Sequence, residues 1–211
     1  METVFILDDD ISLRESLEML ITVAGWHAET FARADEFFAR PPADDAACLI
    51  LDIELPDLNG LDVQKRVSSM QETMPVIFIT GHGDIPMSVR AMKAGAVEFL
   101  TKPFPADALL DAVRDAIERS RAARKREAER RGLRERYSLL TPREREVMSL
   151  VVSGLLNKQI GYELGASEIT IKAHRGRVMR KMQAASLADL VRMADSLELP
   201  IVHPTMNALN A

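Results

Sequence analysis

Along the first half of the chain, short unbroken apolar runs alternate with segments whose apolar residues recur every three or four positions. The runs are "TVFIL" (3–7), "CLIL" (48–51), "PVIFI" (75–79) and "VEFL" (97–100), with a weaker one near "HAETF" (27–31). Runs of this length without polar alternation fit strands buried on both faces. The segments between them carry helical spacing. In "SLRESLEMLITVAG", Leu13, Leu17, Leu20 and Ile21 share one face and Gly25 ends it. "GLDVQKRVSSM" and "PMSVRAMKAG" follow the same period, the second with Pro86 near its start and Gly95 just past its end. Five such units predict an α/β fold, a (βα)5 doubly wound parallel sheet covered by helices on both faces. In that architecture ligands meet the chain at the carboxyl ends of the strands.

Farther along, the strand pattern disappears. "PFPADALLDAVRDAIERSRAARKREAERRGLRERY" opens with helix-spaced Leu109, Leu110, Val113, Ala116 and Ile117, then fades into charge with only Gly132 to interrupt it. It predicts one long helix, bound to the sheet at its start and a connector afterwards. The charged part reads as a solvated helix face, with a two-chain coiled coil as the alternative that its weak heptad pattern leaves open. An all-α four-helix domain follows. "TPREREVMSLVVSG" has Thr141 as cap, Pro142 at the first helical position and Glu144 three residues on, a capping box. "NKQIGYELG" is a short helix, "SEITIKAHRGRVMRKM" a longer one behind Ser167, and "SLADLVRMADSLEL" closes the domain. The expected boundaries are 1–118, a charged helical linker at 119–137, 138–199, and a loose aperiodic tail at 200–211.

Charge sharpens this division. Residues 1–117 carry a net −12, residues 118–136 a net +5 and residues 137–211 a net +2, within a total of −5. An acidic first half and a basic second part suggest two domains with different partners, the second nucleic acid. With 211 residues and 47% apolar composition, the chain can bury a sizeable core. No apolar run is long enough for a membrane span, the N-terminus lacks the features of a signal peptide, and the single Cys48 cannot form an internal disulfide. The expected location is the cytoplasm.

Candidate chemistry gathers at the strand ends. Asp8, Asp9 and Asp10 follow the first apolar run, Asp52 ends the third, Thr80 the fourth, and Lys102 follows the fifth. A parallel sheet opens all of these on one edge. Crowded carboxylates resist ionisation unless something positive neutralises them. Mg2+ suits an all-oxygen set and keeps waters of its own. It would also screen an incoming phosphoryl group, so that a carboxylate can attack phosphorus and carry an acyl phosphate. An ammonium and a hydroxyl can then grip the phosphoryl oxygens. Asp10, just before "ISLRESL", reads as a helix cap rather than a ligand. Asp57, Asn59 and Gly60 read as the turn that opens the next helix, and His82 as a solvent-facing loop residue.

The ordered set of "DD", "DIELPDLNG", "TGHG" and "KPF" resembles the receiver domain of two-component response regulators, over residues 3 to about 118. The resemblance implies that Asp52 is the phosphoacceptor and a sensor histidine kinase its donor. Asp9 and Asp52 would bind Mg2+ directly, Asp8 through water, and the backbone carbonyl of Glu54 would complete the protein ligands. Lys102 would pair with the phosphoryl group. Thr80 would hydrogen-bond to it, Phe99 would be the aromatic switch, and Pro103 would follow a cis peptide bond. Phosphatases of the haloacid-dehalogenase type share the attacking aspartate but need a second one two residues on, where this chain has Glu54. A turnover enzyme is therefore not expected.

In the second half, Lys172, Arg175, Arg177, Arg180 and Lys181 fall at helical spacing, while Ile171, His174, Val178 and Met182 form an inward stripe. A solvated basic helix would show the same charges. The short helix and "GAS" turn before it, however, make the pattern of a helix-turn-helix. "LTPREREVMSLVVSGLLNKQIGYELGASEITIKAHRGRVMRKM" resembles the LuxR-type DNA-binding domain of FixJ/NarL response regulators, over residues 139 to about 198. That resemblance implies a recognition helix over 168–182 in the major groove of double-stranded DNA. Lys172, Ala173 and Gly176 would face bases, Arg175, Arg177 and Arg180 would reach phosphates or bases, and Asn157, Lys158 and Thr170 would contact phosphates. Two positions depart from the pattern. Gly161 replaces the usual Ala, and Gly176 places a poor helix former, about 1 kcal/mol worse than Ala, in the recognition helix.

Together the resemblances imply a transcription factor in which phosphorylation of Asp52 makes a homodimer through the receiver face of residues 86–118. Val89, Met92, Val97, Leu110 and Val113 are its candidate contacts. Joining two reading heads raises affinity by about 10²- to 10⁴-fold where the geometry fits. The linker helix and helix 186–197, through Leu187, Leu190, Val191 and Ala194, are further candidate dimer contacts, the latter stripe equally open to packing inside its own domain. RNA polymerase is another candidate partner. The alternative reading is a phosphorylation-independent dimeric DNA-binding regulator.

Overall fold

The computed structural model describes residues 1–56, 58–70, 74–81 and 85–199. The expectations for Asp57, His82 and the tail at 200–211 lie outside those residues. The chain divides into two units between Lys125 and Arg126.

In the first unit, β1 (Thr3–Leu7), β2 (His27–Phe31), β3 (Ala47–Asp52), β4 (Val76–Thr80) and β5 (Glu98–Thr101) form one sheet in the order β2-β1-β3-β4-β5. Every pairing is parallel. Between the strands lie α1 (Ile11–Val23), α2 (Ala34–Ala39), α3 (Gly60–Met70) and α4 (Ile85–Lys93), and α5 (Ala106–Ser138) follows the last strand. Every residue of β1, β3 and β4 is buried, whereas β2 and β5, each with a single neighbour, are partly open. The contrast between continuous and weaker apolar runs in the sequence is therefore a contrast between central and edge strands. β1 and β2 have their expected bounds, and those of β3, β4 and β5 move by a residue. Pro75 falls outside β4 because it has no N–H for the ladder, although its carbonyl accepts from the Leu49 amide at 3.0 Å.

Successive residues of each strand serve opposite faces. Phe5, Leu7, Leu49, Leu51 and Phe78 pack with Phe37, Val63, Val67 and Ala91 from α2, α3 and α4. Val4, Ile6, Cys48, Ile50, Ile77 and Ile79 pack with Leu17 and Ile21 of α1 and with Leu109, Val113, Ala116 and Ile117 of α5. The second set corrects one expectation: Val113 is fully buried against the sheet and has no surface to offer a partner. Val97 and Leu110 are partly buried against the same cluster, while Val89 and Met92 are 44% and 45% exposed. The six-residue α2 is too short to show a helical period in the sequence.

The second unit packs α6 (Pro142–Val152), α7 (Asn157–Leu164), α8 (Glu168–Met182) and α9 (Leu187–Ser196) around one core. Gly165, at φ 60°, ends α7 in the left-handed region, and the Ala166 amide returns to the Gly161 carbonyl at 2.8 Å. A Cβ on Gly161 would sit 2.6 Å from the Ala166 carbonyl oxygen, so the glycine fits a close return of the turn. In α9, Leu190 and Ala194 are buried in the core while Leu187 and Val191 are each 40% exposed. Half of the candidate dimer stripe is thus internal packing.

Thr141 caps α6 as expected: its hydroxyl accepts from the Glu144 amide at 3.3 Å, and the Glu144 carboxylate accepts from the Thr141 amide at 2.9 Å. Lys181 donates to that carboxylate at 2.6 Å and to the Leu139 carbonyl at 3.0 Å. Lys181 therefore leaves the cationic face on which its spacing had placed it. Its ammonium, with the Thr141 backbone, holds the Glu144 carboxyl below the ordinary value of 4.5. A carboxylate whose pKa is depressed on folding contributes its full stability above the unfolded value and loses it as pH falls through the folded one. Glu144→Gln should accordingly lower the melting temperature at neutral pH, with the gap to wild type closing below about pH 4. Parallel Tm curves for the two proteins from about pH 7 to about pH 3, by calorimetry on the full chain, would refute the linkage.

Candidate functional site

β1 and β3 are adjacent parallel strands, so their carboxyl ends bring Asp8, Asp9 and Asp52 together. One carboxylate oxygen from each lies within 4.8 Å of the others. Asp8 and Asp52 are buried, and Asp9 is exposed at the mouth. Lys102, just beyond β5, spans the cluster: its Nζ donates to Asp8 Oδ2 at 2.7 Å and to Asp52 Oδ2 at 2.8 Å. The other oxygens are held by the backbone. Asp8 Oδ1 accepts from the Asp10 amide at 2.9 Å, and Asp52 Oδ1 from the Glu54 amide at 3.2 Å.

Burial, aided by the charge of Asp8, pushes the Asp52 carboxyl above its ordinary value against the pull of Lys102. Burial opposes the charge on Lys102, but its hydrogen bonds to Asp52 and Asp8 outweigh that and raise its pKa. Three carboxylates facing one ammonium leave a negative excess that a single dication balances. The donors are all oxygen, as a hard ion prefers. The residues present fit Mg2+ on both counts. The loop after β3 bends back through a Glu54–Asn59 bridge, and Glu54 and Asp9 both line an open depression at this edge of the sheet.

Asp10 and Asn59 take the cap and turn positions expected of them. Asp10 caps α1, its Oδ1 accepting from the Ser12 and Leu13 amides at 2.9 and 3.3 Å. Asn59 Oδ1 accepts from the Leu61 amide at 2.9 Å, and the Gly60 amide donates to the Ile53 carbonyl at 2.9 Å. Thr80 is fully buried at the end of β4, and its carbonyl accepts from the Lys102 amide at 2.8 Å. Phe99 is partly buried against the cluster beneath α4, and the Lys102–Pro103 peptide is cis. Sequence reasoning misses Arg14. Its Nη1 donates to the Asp8 carbonyl at 2.6 Å, pinning the loop that carries Asp8 and Asp9. The signal for it is a cation in the first turns of α1, where the helix dipole disfavours positive charge unless a local acceptor is present.

On α8, Thr170, Lys172, Ala173, Gly176, Arg177 and Arg180 are exposed, as is Lys158 on α7, while Ile171, Val178 and Met182 are buried. Arg175 is half-buried and donates to Asn157 Oδ1 at 3.2 Å, so these two candidates tie α8 to α7. Thr170 Oγ1 lies 2.8 Å from Ser167 Oγ at the helix start.

A five-stranded parallel sheet with this acidic pocket, followed in the chain by a helix-turn-helix with an exposed cationic helix, defines a response regulator that couples a receiver to a DNA-binding domain. Residues 4–114 match the response regulator receiver domain, and residues 138–194 match the bacterial regulatory proteins of the luxR family. The chain belongs to the response regulators of the FixJ/NarL type. It is 49% identical over 200 residues to Nodulation protein W of Bradyrhizobium diazoefficiens, covering 95% of this chain and 88% of that protein. It is 41% identical over 191 residues to the transcriptional regulatory protein FixJ of the same organism, covering 90% and 93%. Among solved structures, that of the response regulator StyR matches with a TM-score of 0.81 and 43% identity, over 92% of this chain and 98% of that one.

Proposed function

We propose that Asp52 accepts a phosphoryl group from a sensor histidine kinase, and that the modified receiver pairs with a second copy to strengthen sequence-specific DNA binding and so control transcription. The observation that carries this is the convergence of Asp8, Asp9 and Asp52 on one point, with Lys102 already bonded to the acceptor. Asp9, Asp52 and the Glu54 carbonyl would hold Mg2+, with Asp8 acting through water. When bound, the ion supplies positive charge that lets one anion approach another. A carboxylate oxygen of Asp52 attacks phosphorus, the bond from phosphorus to the histidine nitrogen breaks, and the imidazole leaves. Lys102 then exchanges a carboxylate for a phosphoryl oxygen, Thr80 turns its hydroxyl to the phosphoryl group, and Phe99 follows inward. The chain is an acceptor in this reading, not a turnover enzyme, and works in the cytoplasm, where its one cysteine stays reduced.

Exposed Ile85, Val89 and Met92 on α4 give the paired state a surface, and exposed Leu187 and Val191 on α9 a second one. RNA polymerase would be met only from the DNA-bound state. Light scattering tests the coupling: beryllofluoride with Mg2+ should convert the full chain from monomer to dimer, and Val89→Asp should block the conversion. A mass unchanged by beryllofluoride would separate phosphorylation from assembly and favour the phosphorylation-independent regulator.

A further inference from the structure

The exposed side of α8 carries one residue that its own domain does not explain. At about 100° per residue, Ile169, Ala173, Gly176 and Arg180 fall on the line opposite buried Ile171, Val178 and Met182. Ile169 is 82% exposed and stands in the first turn of that line, ahead of two small residues. It does not belong to the core of the unit, even among the residues partly buried against it. A β-branched side chain is also a mediocre helix former at an open site. Between Ile169 and Arg180 the line carries only small residues, and nothing among the described residues lies within 4 Å of a Cβ built on Gly176. The first turns of a helix laid in the major groove are those that reach base edges. One of the features displayed there is apolar, the 5-methyl group of thymine.

We propose that Ile169 is a specificity-determining residue that packs on a thymine methyl in the DNA half-site. The inference rests on the DNA-binding reading of this domain. Small Ala173 and Gly176 leave the backbone of α8 free to approach the groove closely, and Lys172 and Arg177 flank the line with cations that can neutralise phosphates on either side. Ile169 then supplies what the cations cannot, a preference for thymine over the DNA bases that lack a 5-methyl group.

The full chain, activated with beryllofluoride and Mg2+, is first used to enrich a duplex from a randomised pool. Each thymine of that duplex is then replaced singly by uracil, which deletes the methyl and keeps the pairing. At one thymine per half-site, uracil should weaken wild-type binding about four-fold, the equivalent of about 0.8 kcal/mol for one buried methylene-sized group. Ile169→Ala should bind the thymine and uracil duplexes equally, with an unchanged salt slope, and Ile169→Val should fall between. A uracil penalty of the same size in wild type and Ile169→Ala, or none at any position, overturns the proposal and leaves DNA binding standing. A chain that enriches no duplex removes the DNA-binding reading and this inference with it.

Discussion

Asp52→Asn should abolish acid-labile labelling of the protein by acetyl phosphate and Mg2+ while leaving the fold intact. An amide oxygen is too weak a nucleophile for phosphorus, so the loss should be complete rather than partial. The variant should not be destabilised at neutral pH. Burial and Asp8 raise the Asp52 carboxyl above its ordinary value. An acid whose pKa rises on folding costs stability when ionised, so removing that charge relieves the pocket. The substituted side chain would keep one oxygen to accept from the Glu54 amide, which donates to Asp52 Oδ1 at 3.2 Å in the native chain. Label that persists at the wild-type level in Asp52→Asn would place the acceptor at another carboxylate and dissolve the roles given to Lys102 and Thr80.

Gly60→Ala should be the most damaging single methyl added near the pocket. A Cβ there would lie 2.6 Å from the Asp52 carbonyl oxygen and 2.7 Å from the Ile53 Cα, both backbone atoms that cannot swing aside. The first turn of α3 would be pushed off the end of β3, straining the bond from the Gly60 amide to the Ile53 carbonyl. Overpacking of this kind costs about 3 kcal/mol. The melting of the first unit should fall by about 10 °C, with the second unit's transition unmoved. Because Asp52 itself is displaced, the label from acetyl phosphate should fall as well. A full-chain calorimetric trace superimposable on wild type would show that α3 yields without cost.

Much of this was legible along the chain. Unbroken runs at β1, β3 and β4 marked strands buried on both faces, and Asp8, Asp9, Asp52, Thr80 and Lys102 announced themselves as polar residues at the ends of apolar runs. Thr141, Ser167 and Asp10 marked their helix starts because capping is local chemistry, settled within three or four residues. Other features depended on contacts between distant segments. Val113 and Leu110 share an apolar stripe, yet only packing shows that the first is sealed against the sheet. Lys181 has the same helical spacing as the cations around it, yet it turns inward to Glu144, 37 residues earlier in sequence. Arg14 gave a faint signal because its partner is a backbone carbonyl, which sequence does not distinguish.

The kinds of element, their order and the residue types gathered at each strand end follow from period, caps and turns, all of them local to the chain. Which side chains remain available for function is settled by packing between distant segments. That choice depends on what each group meets across the core or the pocket, where an ammonium finds a carboxylate, a methyl would meet a backbone oxygen, and an isoleucine is left 82% exposed.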